Sequence, residues 1–266
     1  MKNQLCKNLI AGAVVLLASA AVVADNVDAI VERVNAVDEG EFVTRKLTMT
    51  LTDKRGKERV RETVSYRKTF PDEKRTVLFY QSPGNIRGTG FLIYDYADSG
   101  KEDDQWLYLP AMRKVRRIPS SDRGDYFLGT DFSYEDIKLD GKLDTEDYSY
   151  KLLGSSELDG KPVYQVEAVP ISEDIARELG YSRTVSYIDK SSYLLLKADF
   201  WNSKGEHLKT LTAGDVRQVD GIWTRHELTM ENHKTGHVTV FRFEDVDYST
   251  PVRDSLFSRK ALERGR

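Results

Sequence analysis

The hydrophobic positions of this chain change period once near the start and then hold the new one. Asp25 or Asn26 precedes Val27, Ile30, Val31 and Val34, which share one helical stripe behind a capping side chain and predict a short helix. After Gly40 the period becomes two. Val43, Leu47, Met49 and Leu51 alternate with Thr44, Lys46, Thr48 and Thr50. Asp53-Lys54-Arg55-Gly56 marks a hairpin turn, beyond which Val60, Val64 and Tyr66 resume the alternation. Strand-like runs recur at 76–80, 90–96, 105–109, 148–153, 163–169, 183–189, 193–201, 207–211, 222–230 and 237–243, with Asp140-Gly141, Asp159-Gly160, Asp220-Gly221 and Lys234-Thr235-Gly236 among the turns. Short strands joined by tight turns predict a mainly β fold, an antiparallel meander curled into a barrel or half-barrel of about 11 strands. Helical signal is confined to the start, to 172–180 and to 252–262. The stretch 110–140 lacks clean periodicity and reads as a functional loop or lid. No repeat or linker divides the chain, so residues 25–266 read as a single β domain.

The first residues follow a different pattern. Lys2 and Lys7 precede an uncharged apolar run from Leu9 to Val23, and Ala18-Ser19-Ala20 and Val22-Val23-Ala24 both have the form of a cleavage site. The run is shorter than the roughly 20 residues that span a bilayer. Residues 1–24 therefore read as a cleaved secretory signal, so the mature protein is expected to be exported. The only cysteine, Cys6, would leave with the signal, and thiol chemistry, thiolate metal sites and disulfides with it.

Composition narrows the remaining classes. With 39% hydrophobic and 10% aromatic residues the chain builds its own core, and a net charge of −3 gives no whole-chain case for nucleic acid. Among the 4 histidines, His233 and His237 flank a hairpin turn with His226 on the preceding arm, but no zinc-type spacing accompanies them, so no metal or cofactor is expected. Asp131, Glu135 and Asp136 sit together in the aperiodic stretch, where paired carboxylates suit acid–base work. In a chain with 43 acidic residues such proximity arises by chance, and no nucleophile elbow or P-loop supports a hydrolase.

Two features remain. Arg113, Lys114, Arg116, Arg117 and Arg123 crowd into eleven positions, either as a solvated strand and turn or as a docking surface for anionic headgroups or an acidic partner. The inward face of a curled sheet is either filled by its own side chains or left open for a ligand, and Phe91, Tyr94, Trp106, Tyr108, Phe200 and Trp201 are large enough for both.

Asp104-Gln105-Trp106-Leu107-Tyr108-Leu109-Pro110-Ala111, then Arg113-Lys114-Val115-Arg116-Arg117-Ile118, then Gly129-Thr130-Asp131-Phe132-Ser133-Tyr134-Glu135-Asp136 form one linked signature. It resembles the outer-membrane lipoprotein-sorting protein family, the LolA-like group typified by a treponemal domain of unknown function, over about 70–256. The resemblance implies an unclosed antiparallel β-barrel with short helices covering or filling the concave side. It also implies a carrier of lipid or lipoprotein acyl chains through the periplasm, associated with an RND-type exporter; a non-enzymatic monomer is expected. A cavity of that kind is expected to be lined by one strand parity: Leu47, Met49, Val64, Tyr66, Phe91, Ile93, Leu107, Leu196, Phe200, Leu228 and Met230. The competing expectation is a sensor or adaptor with a filled interior that binds a membrane protein through the 110–140 loop.

Overall fold

The computed structural model describes residues 26–98 and 100–265; the signal segment expected at 1–24 lies outside them. Thirteen strands form a single antiparallel sheet: β1 (Phe42–Thr52), β2 (Glu58–Phe70), β3 (Glu73–Ser82), β4 (Gly90–Tyr96), β5 (Asp104–Leu109), β6 (Lys114–Ile118), β7 (Tyr148–Leu158), β8 (Lys161–Pro170), β9 (Arg183–Asp189), β10 (Leu195–Trp201), β11 (His207–Val219), β12 (Ile222–Asn232) and β13 (His237–Asp247). They run in the order β6-β5-β4-β3-β2-β1-β13-β12-β11-β10-β9-β8-β7. β6 and β7 are the two free edges, so the curled sheet is a half-barrel. The chain between them, residues 119–147, leaves one edge and reaches the other across the concave side. It carries helix α2 (Tyr134–Leu139) and forms a lid.

Three further helices complete the fold: α1 (Val27–Asn35), α3 (Glu173–Leu179) and α4 (Arg259–Arg264). The Asn26 side chain caps α1, whose Ile30 and Val34 join the concave core beside Leu47, Phe91 and Met230. α4 and Phe257 lie on the opposite face, over Val77, Phe79, Leu92 and Trp106. β3 to β5 are therefore apolar on both sides, which the single inside of a simple barrel would not require.

Three sequence expectations change in detail. The strand count is thirteen rather than about eleven, and β6 is the one strand for which the pattern shows no run. Its Val115 faces the convex cluster and Ile118 the concave one, so neither face shows an alternation. Asp140-Gly141 is not a strand turn but the left-handed end of α2, with φ of 44° and 92°. The 252–262 helix is split: a 3-10 turn at Asp254–Leu256 precedes α4, which the Ser258 side chain caps anew.

Candidate functional site: a lidded cavity

The space between sheet and lid is an apolar cavity. Leu47, Leu195, Ala198, Phe200, Leu211, Leu228, Phe241 and Phe243 line its strand wall, and Phe132, Ile137, Leu139 and Leu143 form the roof. Its free volume is about 120 Å³, several times the roughly 10–15 Å³ one water needs and below the roughly 300–1,000 Å³ of small-molecule pockets. The rest of the concavity is filled by the lid itself. Phe127 and Tyr134 lie 4.9 and 5.5 Å from Phe91, and Phe132 stacks on Phe241 at 4.1 Å.

The residues expected to line a cavity divide three ways. Leu47, Phe200 and Leu228 line it. Met49, Phe91, Ile93, Leu107 and Met230 share the concave core but sit where the lid fills it. Val64, Tyr66 and Leu196 are corrections, because they lie on the other face. Val64 and Tyr66 belong to the convex cluster under the C-terminal segment, and the inward side of β2 is instead polar, with Thr63, Ser65 and Arg67. Leu196 packs with Val163 and Leu194. A register shift between Leu195 and Lys197 puts Leu195, Ala198 and Phe200 on one face, so parity counted back from Phe200 fails there.

Polar contacts fasten the lid along its length. Arg61 donates to the Leu128 carbonyl at 2.7 Å. Asp131 accepts from Thr239 at 2.7 Å and pairs with His237 Nδ1 at 2.5 Å. The Ser133 hydroxyl accepts from the Asp136 N–H while the Asp136 carboxylate accepts from the Ser133 N–H, a reciprocal cap that starts α2. The same Asp136 carboxylate meets the wholly buried Lys209 of β11 at 2.8 Å, and Lys209 also donates to the Asp131 carbonyl. Glu135 is pushed up by burial, against the pull of Lys138 at 2.8 Å. Asp131 and Asp136 thus hold the lid to the sheet, while Glu135 pairs within the lid helix with Lys138, which itself reaches Asp103 at 2.7 Å.

At the far end of the lid the mouth of the cavity is charged, a feature the hydrophobic pattern gave no reason to single out. Asp140 accepts from Arg45 at 2.7 Å and from Arg225 at 3.3 Å, and Arg225 also donates to the Asp140 carbonyl. Burial alone would raise the Asp140 carboxyl, but Arg45 and Arg225 hold it well below the usual carboxylate range. Glu39 faces Arg67 at 3.1 Å, Lys74 at 3.6 Å and Lys142 at 3.9 Å. Lys142 also donates to the Val34, Asn35 and Val37 carbonyls at the end of α1. The available signal was a cation at an inward position: Arg45 shares the parity of Leu47 and Met49.

The basic cluster also divides. Arg113, Lys114, Arg116 and Arg117 are exposed on β6 and the turn before it, where Arg117 meets Asp104 at 2.6 Å and Arg116 meets Asp122 at 3.3 Å. Charge on an edge strand also discourages edge-to-edge pairing. Arg123 is a correction: it binds Asp147 at 2.5 Å and Glu178 at 3.2 Å, bracing the two ends of the lid and α3 rather than facing solvent. His226, His233 and His237 do not converge, although His233 lies against His207 with ring centroids 4.4 Å apart. His226 faces the Asp215 carbonyl, His237 faces Asp131, and His233 and His207 share Thr210. Among the described residues no three His, Cys, Asp or Glu side chains form a metal-holding group, and no helix is long and apolar enough to cross a membrane.

Comparison with known proteins places this geometry in a family. A family model described only as an uncharacterized-protein-like family matches residues 72–264. No curated protein matches the chain. Two solved structures are 29% identical with TM-scores of 0.80 over 90% of this chain: an outer membrane lipoprotein-sorting protein domain from Vibrio parahaemolyticus, covered over 98% of its length, and a DUF1329 family protein from Desulfovibrio piger, covered over 100%. A LolA superfamily protein from Nitrosomonas europaea shares the fold at 20% identity and a TM-score of 0.67, with 90% of this chain and 100% of that one covered. The family model spans most of the chain, so this chain belongs to that family, DUF1329, and shares its half-barrel fold with the lipoprotein-sorting domain and the LolA superfamily protein.

Proposed function

We propose that this protein is a non-enzymatic periplasmic carrier of lipid-like or lipoprotein cargo, exported with loss of residues 1–24 and functioning as a single domain. The observation that carries the reading is an apolar cavity roofed by a lid whose aromatic side chains fill the rest of the concavity and whose polar contacts fasten it to the sheet. An acyl chain in water is unfavourable by about 0.8 kcal/mol per CH₂, so crossing an aqueous compartment requires an apolar shelter. Polar fastenings can exchange partners, and withdrawing Phe127, Phe132 and Tyr134 would open the filled half of the concavity to a longer chain. Delivery to or from an RND-type exporter, with the exposed β6 basic edge as the docking surface, belongs to the same proposal.

The test is titration with a fluorescent fatty-acyl probe. Saturable binding that is lost in Leu195→Asp and Leu228→Asp, with circular dichroism unchanged, supports the carrier. Absence of binding to the wild-type protein contradicts it. One observation favours a second reading: the lid aromatics fill much of the interior, as a sensor or adaptor would need, and the 110–140 segment would then be its partner-binding surface.

A further inference from the structure

We propose that the cavity mouth is a binding site for the anionic headgroup, carboxylate or phosphate, of an amphiphile whose acyl chain occupies the apolar cavity. This rests on the carrier reading and specifies the class of cargo. Three observations support it, beginning with charge. Arg45, Arg67, Lys74, Lys142 and Arg225 converge on two shared acids, Glu39 and Asp140, with Asp95 beside Lys74 at 3.1 Å. Five cations thus share three carboxylates. Two further acids line the cavity or its mouth, Asp38, which accepts from the Gly40 N–H, and Asp144, which accepts from the Glu146 and Asp147 N–H groups. Deeper in the cavity, Glu135 and Asp136 are matched by Lys138 and Lys209.

The second observation is unused hydrogen-bonding capacity. The Arg225 side chain is 10% exposed and that of Arg67 is 7% exposed, yet Arg225 Nη1 and Arg67 Nε are buried without a hydrogen-bond partner. Buried donors are ordinarily satisfied, and a guanidinium offers a planar fork suited to carboxylate or phosphate. Burial, with the surrounding cations, also pushes Lys142 and Arg225 below their usual ranges, the condition an added anion would relieve.

The third observation is continuity. Arg45, Arg67, Lys142 and Arg225 border both the apolar cavity and the polar recess beside it, which is lined also by Glu39 and Tyr248. Leu228 lines both spaces and Arg45 lies 4.3 Å from the Phe243 ring, so an acyl chain against these side chains lies beside the cations. Gly141, at φ 92°, leaves room for the guanidinium, because a β-carbon there would lie 2.4 Å from Arg225 Nη1.

The experiment compares dodecanoate, dodecanol and inorganic phosphate by calorimetry, on the wild type and on Arg225→Gln and Lys142→Gln. The expected result is dodecanoate binding about ten-fold or more tighter than dodecanol, with the preference lost in either variant while dodecanol binding persists. Equal affinity for the two amphiphiles in the wild type, or a preference unchanged in both variants, overturns the headgroup site and leaves the carrier intact. Binding of neither amphiphile overturns the carrier reading and this inference with it. Phosphate binding alone as tightly as dodecanoate would show a free-anion site and overturn the amphiphile assignment. Thermal melts of both variants establish that they are folded.

Discussion

Lys209 Nζ lies 2.8 Å from Asp136 Oδ2 with the lysine side chain wholly buried, so a single ion pair joins β11 to the first turn of the lid helix. The Tyr181 and Phe200 rings flank the same ammonium at 4.9 and 5.2 Å. Removing one partner leaves the other charge buried without compensation, which costs about 3–5 kcal/mol. Lys209→Met should therefore lower stability by about that amount in denaturant unfolding. Adding Asp136→Leu to it should recover part of the loss. Recovery should be incomplete, because Asp136 also caps α2 and Lys209 also holds the Asp131 carbonyl.

The mouth of the cavity makes stability depend on pH in a definite direction. Asp140 is held below the ordinary carboxylate range by Arg45 and Arg225 in spite of its burial. A depressed folded-state value contributes stability above the unfolded value of about 3.9 and loses it as pH falls below that. Asp140→Asn should be less stable than the wild type at neutral pH, and the gap should narrow as pH falls from about 4 towards 2. Chemical unfolding at a series of pH values measures the gap; a constant difference would contradict the pairing.

On the convex face, a β-carbon at Gly90 would lie 2.7 Å from Leu262 Cδ2. Gly90→Ala should destabilise the packing of α4 on β4 by about 1–3 kcal/mol, as overpacking does. Leu262→Ala in the same chain should relieve the clash while introducing its own smaller cavity. Thermal melts of the two single variants and the double variant test the coupling.

How much of this was legible in the sequence follows from which signals are local. The alternation from Val43 to Leu51 and the capped stripe from Asn26 to Val34 are local, and both elements appear where the pattern puts them. The face of a strand is not local once both sides of the sheet are covered. Val64 and Tyr66 on β2 look inward by hydropathy, but the C-terminal segment covers them from outside. Leu196 was misplaced by one register shift within its own strand. Helix α2 left a trace, Ser133 three residues before Asp136, in a stretch whose other residues gave no period. The charged mouth was hidden for another reason: Arg45, Arg67 and Arg225 come from three strands and meet only when the sheet curls.

The exposed edge gives a salt-dependent prediction. Arg116→Gln with Arg117→Gln should leave thermal stability within about 0.5 kcal/mol, since both side chains are exposed surface charges. If β6 docks on anionic lipid or an acidic partner, the double variant should weaken association with anionic vesicles. That association should itself fall with added salt, screening being effective beyond about 8 Å at physiological ionic strength. Unchanged association at low salt would make the cluster a solvated strand edge only.

The carrier account is tested most directly by native mass spectrometry of the mature protein, purified without detergent from the compartment in which it accumulates. The account predicts a bound acyl lipid on a fraction of the wild-type molecules, lost in Leu228→Asp and retained in Arg116→Gln. A wild-type protein that carries no lipid, and acquires none when mixed with acyl lipid, would contradict it.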